Sequence, residues 1–271
     1  MNEQPNVVTP EAPICDPSAL DDLLTGSRII RDAFLKTPLR FAGRDTKLIC
    51  FGVTDPSVIL IRSGFAVRSC TMPNGRRAIF DLFIPGDLCG LFHLFTKYPI
   101  EEITAVDRVA YHTLYASAFR ALFAQGKAGL SILASMTDAD FRVERLTAAI
   151  GRLDARGRVC VLLLDAYDRL RHRKLIQGNR FFLPLTQEEM ADFLGITLVH
   201  VNRTLRRLRE EGLIVVGRQF VSILQPDRLR QLVSGLPCGM ELPESALPAE
   251  PRVVMNSRHS RVYEAALTRA E

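Results

Sequence analysis

The residues best suited to chemistry lie in one short stretch, 198–210, LVHVNRTLRRLRE. It holds Arg203, Arg206, Arg207 and Arg209, with His200 and Asn202 beside them. Guanidinium groups offer planar forks of donors that match phosphate oxygens and the O6/N7 edge of guanine. The Asn amide matches the N6/N7 edge of adenine. At about 100° per residue the stretch sorts into two sides. Val201, Leu205 and Leu208 fall together and must face a core. Val199, Asn202, Arg203, Arg206 and Glu210 fall opposite, flanked by His200 and Arg207. Short side chains near the N-terminal end and arginines in the middle turns suit insertion of that end into a major groove. On this reading Arg203 pairs with guanine, Asn202 reads adenine, and Val199 meets only an apolar feature such as a thymine methyl.

The charge distribution agrees. Residues 1–140 carry 14 Lys and Arg against 15 Asp and Glu, whereas residues 141–230 carry 17 against 10. A basic C-terminal half attracts a polyanion and gains from counterion release, although charge alone does not separate DNA from RNA or an acidic membrane.

Other chemistry finds little footing. The sequence shows no nucleophile–base motif, phosphate loop or supported carboxylate pair, so no catalytic residue is assigned and an enzyme is not expected. The cysteines, Cys15, Cys50, Cys70, Cys89, Cys160 and Cys238, form no CxxC clip and read as buried thiols. Cys89-x3-His93 follows a glycine turn, and Cys70 can lie nearby. A haem, metal or redox site and plain core packing both fit, but no ligand spacing is complete, so neither metal nor cofactor is assigned.

The arginine face needs elements to hold it. Thr186 with Glu189 is a capping box that starts a helix, carrying Met190, Phe193 and Leu194 on its apolar side. Ala191 is small where a second helix must cross. Gly195 ends the first helix and Thr197 caps the next. Gly212 stops the second helix. LIVV, Gly217-Arg218 and QFVSI then read as a hairpin, the wing. This is the order of a winged helix-turn-helix. Thr186, Gln187, Thr197, His200, Arg206 and Arg218 are the expected contacts to phosphates or flanking groups.

Upstream, with 47% hydrophobic and 24% charged residues, the 271-residue chain has room for two modest domains. Residues 1–33 read as a proline-rich lead-in and a short helix near Leu20–Phe34, with Ser18 as cap and Asp21 and Asp22 in its first turn. Residues 34–127 hold β-rich runs split by Asp55-Pro56, Pro73-Asn74-Gly75 and Pro85-Gly86-Asp87, the pattern of a small sandwich or barrel. Residues 128–154 form a long helix. Ile132, Met136, Ala139, Val143, Leu146, Ile150 and Leu153 step by fours and threes, which fits either an a/d seam for a dimer or a helix packed on its own strand domain; Leu130, Leu133 and Phe141 lie off this stripe and can serve the packing if it is the dimer seam. After a break near Gly157 a second helix runs over Arg156–His172, opening the domain 155–230. Residues 177–184 form a loop or short strand. Residues 231–271 are a proline-rich tail, largely disordered, with a weak helix over 252–271. No apolar run reaches the roughly 20 residues a spanning helix needs, and the first residues lack a secretory pattern, so a cytoplasmic chain is expected.

The segment TQEEMADFLGITLVHVNRTLRRLREEGLI resembles the winged helix-turn-helix of the Crp/Fnr family, and the preceding order of elements is also similar, over about Phe34 to Arg230. The resemblance implies an α+β fold: a cyclic-nucleotide-binding-like β-roll, a dimerisation helix and a winged helix-turn-helix. It implies a homodimer on a palindromic operator, RNA polymerase as a further partner, and an effector sensed by the roll near Gly86, Asp87, Cys89 and Gly90. Two departures matter. The family's recognition-helix glutamate is matched by Val199, although its arginine is matched by Arg203. The family's phosphate-clamping Arg-Ser/Thr-Ala run is matched by Ile103-Thr104-Ala105, with Glu101 and Glu102 alongside, which disfavours a cyclic nucleotide. The iron–sulfur branch needs clustered N-terminal cysteines, and only Cys15 lies there. The competing reading is a ligand- or redox-sensing module whose basic domain binds a protein partner.

Overall fold

The computed structural model describes residues 28–50, 56–94 and 102–236. Ser18, Asp21, Asp22, Cys15, Asp55, Glu101, Cys238 and the tail helix fall outside these residues.

Helix α1 (Arg28–Leu35) buries Ile30 and Phe34. Eight strands follow: β1 (Arg40–Ala42), β2 (Lys47–Ile49), β3 (Ser57–Ser63), β4 (Ala66–Thr71), β5 (Arg77–Phe83), β6 (Leu88–Cys89), β7 (Glu102–Ala105) and β8 (Val109–Tyr115). They make two four-stranded antiparallel sheets, ordered β1-β8-β3-β6 and β2-β7-β4-β5. The expected hairpin at Asn74-Gly75 joins β4 to β5. Gly75 adopts φ +79°, the Arg76 N–H donates to Asn74 Oδ1 (3.0 Å), and Thr71 pairs with Arg77. The long run 57–72 is cut at Gly64, where φ is +78° and an added Cβ would lie 2.3 Å from the Arg108 carbonyl oxygen. One apolar run thereby supplies β3 to one sheet and β4 to the other.

Helix α2 (Ala116–Phe123) leads into the long helix α3 (Gly126–Arg152). Here the structure buries part of the expected seam within the chain, while Ile150 of the same stripe stays exposed. Ile132 is fully buried within its own chain, among Ile30, Phe34, Leu60 and Phe119. Met136 packs on the same cluster, and Leu146 is buried with Phe65 and Val106 in another. Leu130 and Leu133 are instead 54% and 52% exposed. Period 3.5 defines a stripe but not its partner, and the apolar surface of α1, α2 and the roll takes the stripe led by Ile132.

Leu153 does not extend the seam, because its backbone is extended (φ −103°, ψ 151°) and the helix has ended. The break lies at Leu153–Asp154, not near Gly157. Asp154 caps α4 (Ala155–His172) by accepting the Gly157 N–H at 2.8 Å. Gly157 is buried in the first turn of α4, where a Cβ would sit 2.9 Å from the Leu153 side chain.

Helix α4 buries Val159 to Leu164, Ala166, Tyr167 and Leu170 and becomes the centre of the second half. Val159 through Leu164, Tyr167 and Leu170 share a core with Leu194, Val201, Leu205, Leu208 and Leu229. Each such side chain contributes about 1.5–3 kcal/mol on burial. Tyr167 keeps its polar end satisfied by donating to Asn179 Oδ1 (2.9 Å). The remaining elements are β9 (Arg180–Phe182), α5 (Gln187–Leu194), α6 (Leu198–Glu210), β10 (Ile214–Val216), β11 (Phe220–Ile223) and α7 (Pro226–Leu232). The segment read as loop or short strand supplies β9, which pairs with β11 and completes a sheet ordered β10-β11-β9.

Candidate nucleic-acid interface

Helix α5 starts at a full capping box. Thr186 Oγ1 accepts the Glu189 N–H (3.1 Å), and the Thr186 N–H donates to Glu189 Oε2 (2.7 Å). It ends at Gly195, in the left-handed conformation (φ 62°). Thr197 then caps α6 by accepting the His200 N–H (3.3 Å). These caps satisfy the orphan backbone groups at the ends of both helices with partners only a few residues away.

The two sides of α6 match the angular sorting. Val201, Leu205 and Leu208 are buried, while Val199 (72% exposed), His200, Asn202, Arg203, Arg206, Arg207 and Glu210 are exposed. Thr204 is also buried, which its hydroxyl concealed in the sequence. The outward groups are not equally free. Arg206 Nε donates to Glu210 (2.8 Å) and Arg207 Nε to Glu211 (3.1 Å), both one turn on. Arg203 and Asn202 have no hydrogen-bond or ion-pair partner among the described residues. Arg203 therefore surrenders no intramolecular contact to meet a base, whereas Arg206 and Arg207 would each give one up. Thr186 and Gln187 are exposed at the N-terminal end of α5, and Arg218 is exposed in the turn joining β10 to β11. The turn is closed by the Gly217 N–H donating to the Phe220 carbonyl (2.8 Å).

Residues 157–232 match the model of the Crp-like helix-turn-helix domain. The chain is 30% identical over 182 residues to the transcriptional activator protein FnrL of Cereibacter sphaeroides, covering 64% of this chain and 71% of that protein. It is 31% identical over 193 residues to the nitrogen fixation regulation protein FixK of Azorhizobium caulinodans, covering 67% and 73%. The chain belongs to the Crp/Fnr family of transcription regulators. Its fold is similar to that of FixK2 from Bradyrhizobium japonicum, with a TM-score of 0.65 at 22% identity, covering 74% of this chain and 99% of that one. A CooA variant from Carboxydothermus hydrogenoformans gives a TM-score of 0.59 at 18% identity, covering 75% and 90%. This Crp/Fnr regulator thus carries a β-roll and a DNA-binding winged helix-turn-helix, with α6 as the second helix of the motif.

In the roll the structure adds a feature the sequence reading did not gather. A small cavity lies between the roll and α3, lined by Arg68, Asp81, Phe92, His93, Ile103 and Met136 among others. Of the four residues expected at an effector pocket, only Gly90 borders it. Gly86 and Asp87 belong to a turn directed elsewhere, and Cys89 is buried in β6. Met136 and Ala139, expected at a dimer seam, line the cavity instead. No sequence signal gathers these residues, because they come from β4, β5, β7, α3 and the 3-10 turn Leu91–Leu94. Ile103 is buried where a phosphate clamp would need a donor. Burial pushes the Cys89 thiol well above its ordinary range, which suits packing rather than ligation or redox exchange. Cys70 lies in the other sheet. Among the described residues no group of three His, Cys, Asp or Glu could hold a metal, and no helix is long and apolar enough to cross a membrane.

Proposed function

We propose that this chain is a homodimeric, sequence-specific regulator that reads a palindromic operator with α6. Val199, Asn202 and Arg203 meet base edges, and Thr186, Gln187, Thr197, His200, Arg206 and Arg218 meet phosphates or flanking groups. The observation that carries the reading is the exposed Val199–Asn202–Arg203 face, with an unengaged guanidinium near the end that enters the groove. The dimer forms along the outer stripe of α3, where Leu130, Leu133, Ala134, Thr137, Phe141 and Glu144 follow one another at helical spacing. The protein works in the cytoplasm, without catalysing a reaction, and acts on RNA polymerase from its operator, as the activator names of its relatives suggest.

Selection of bound duplexes from random DNA tests this. The expected result is a palindrome with half-sites about one helical turn apart. Arg203→Ala should relax one position in each half-site. Salt-insensitive binding with no sequence preference would sink the reading.

A further inference from the structure

The turn Ile84–Asp87 of the roll is held by the DNA-binding half. Asp87 is buried and closes its own turn, with the Ile84 N–H donating to Oδ2 (2.8 Å). Its two oxygens are taken by different guanidinium groups: Arg169 of α4 on Oδ2, and Arg173, just past the end of α4, on Oδ1 at 2.5 Å. The same arginines also donate to backbone carbonyls of this segment, Arg169 to Leu82 (2.9 Å) and Arg173 to Pro85 (2.6 Å). Beside it, Asp81 pairs with Arg142 of α3 at 2.9 Å. Burial alone would push the Asp87 carboxyl up. Arg169, Arg173 and Arg142 outweigh that and hold it well below the usual carboxylate range.

A second grip lies on α5. Arg44 of the roll bonds Glu189 (2.7 Å), the capping-box residue, and Arg77 of β5 bonds Asp192 (2.9 Å). Arg44 and Arg77 are more exposed than Arg169 and Arg173. Helix α4 shares a core with α6, and α5 leads into α6 through Gly195. The roll therefore constrains α6 from two sides. Burying several charges costs desolvation that apolar packing would avoid. Apolar contacts can slide, whereas forked guanidinium bonds to a carboxylate and two carbonyls admit one angle.

We infer that Arg169, Arg173 and Asp87 are positioning residues for operator recognition, fixing the distance and angle between the two α6 helices of a dimer. This rests on the two-fold operator reading above. The loop-side anion and the helix-side cations act as a rigid mount, so the regulator accepts one spacing between half-sites.

The test measures binding of the full chain to the selected palindrome, to duplexes with the half-sites moved by one and two base pairs, and to a single half-site. Wild type, Asp87→Asn and Arg173→Gln are compared. A loosened mount dilutes the competent orientation, so palindrome affinity should fall roughly tenfold and the spacing preference should flatten to about twofold, with half-site affinity nearly unchanged. A sharp spacing preference in both variants, or tighter palindrome binding by either, would overturn the inference. Should Asp87→Asn also lose half-site binding, Arg173→Gln decides, because it leaves Asp87 paired with Arg169. Loss of half-site binding there too would show a purely structural role and overturn the inference. A wild type without any two-fold operator would overturn the operator reading itself, and the mount with it.

Discussion

Helices α6 and α3 are both amphipathic, yet one is legible from its sequence and the other is not. In α6 one apolar stripe faces a single core, so Val201, Leu205 and Leu208 go in, and Val199, Asn202 and Arg203 come out. In α3 there are two apolar stripes. Ile132, Met136 and Leu146 form one, and Leu130, Leu133 and Phe141 lie in the other. The structure buries Ile132 and Leu146 of the first, half-buries Met136, and leaves the two leucines of the second exposed. A hydrophobic period states that a face will be covered. It names the covering partner only when a single face and a single core are on offer.

The sharpest challenge to this contrast targets the inner side of α3. Asp81→Asn removes the anion from the largely buried Arg142, which should cost about 3–5 kcal/mol, seen as a lower midpoint in urea. Ile132→Ala should cost about 2–5 kcal/mol of stability by opening a cavity. If Ile132→Ala split a dimer without lowering the melting temperature, the assignment of the two stripes would be reversed. Leu133→Asp should do the opposite. It should weaken self-association by about 1.5–3 kcal/mol per side chain, measured by sedimentation, with little loss of monomer stability.

On α6 the expected change is in binding alone. Arg203→Ala should weaken specific DNA by about 1–3 kcal/mol while leaving thermal unfolding in place. A drop in melting temperature would mean that the outward side of α6 is not free.

The pH axis offers two further checks. Asp87 has a depressed folded value, so its stabilisation is complete above the ordinary carboxylate value of 3.8 and is lost only as pH falls below it. The stability difference between wild type and Asp87→Asn should thus be flat from pH 5 to 8. Asp107 runs the other way. Burial pushes it up to about 7, against the Phe65 N–H (2.6 Å) and Arg44, so the folded chain keeps a proton that the unfolded chain releases. Wild-type stability should fall as pH rises from about 4 to 7, and Asp107→Asn should remove that slope.

The winged helix-turn-helix was readable because its signals are local. A capping box at Thr186 and Glu189, a left-handed Gly195 and a cap at Thr197 act within a few residues of themselves. The Asn74-Gly75 hairpin is local in the same sense. The roll's cavity and the Asp87 mount were not readable, because their members are far apart in the chain. Asp87 and Arg169 meet across 82 positions, and Arg44 and Glu189 across 145. The sequence reading put the break between α3 and α4 at 154/155 but assigned it to the wrong residue. Gly157 looked like a stop, but its missing side chain is what lets Leu153 pack over the start of α4.

By itself the sequence determined that this chain carries a DNA-binding winged helix-turn-helix with Arg203 outward, because backbone capping and one-sided periodicity are properties of short segments. The tertiary structure decided which apolar residues of α3 its own chain covers and which buried charges tie the two halves together. Those outcomes depend on competition among distant surfaces for the same apolar faces and on charges that lose water only when the fold closes around them.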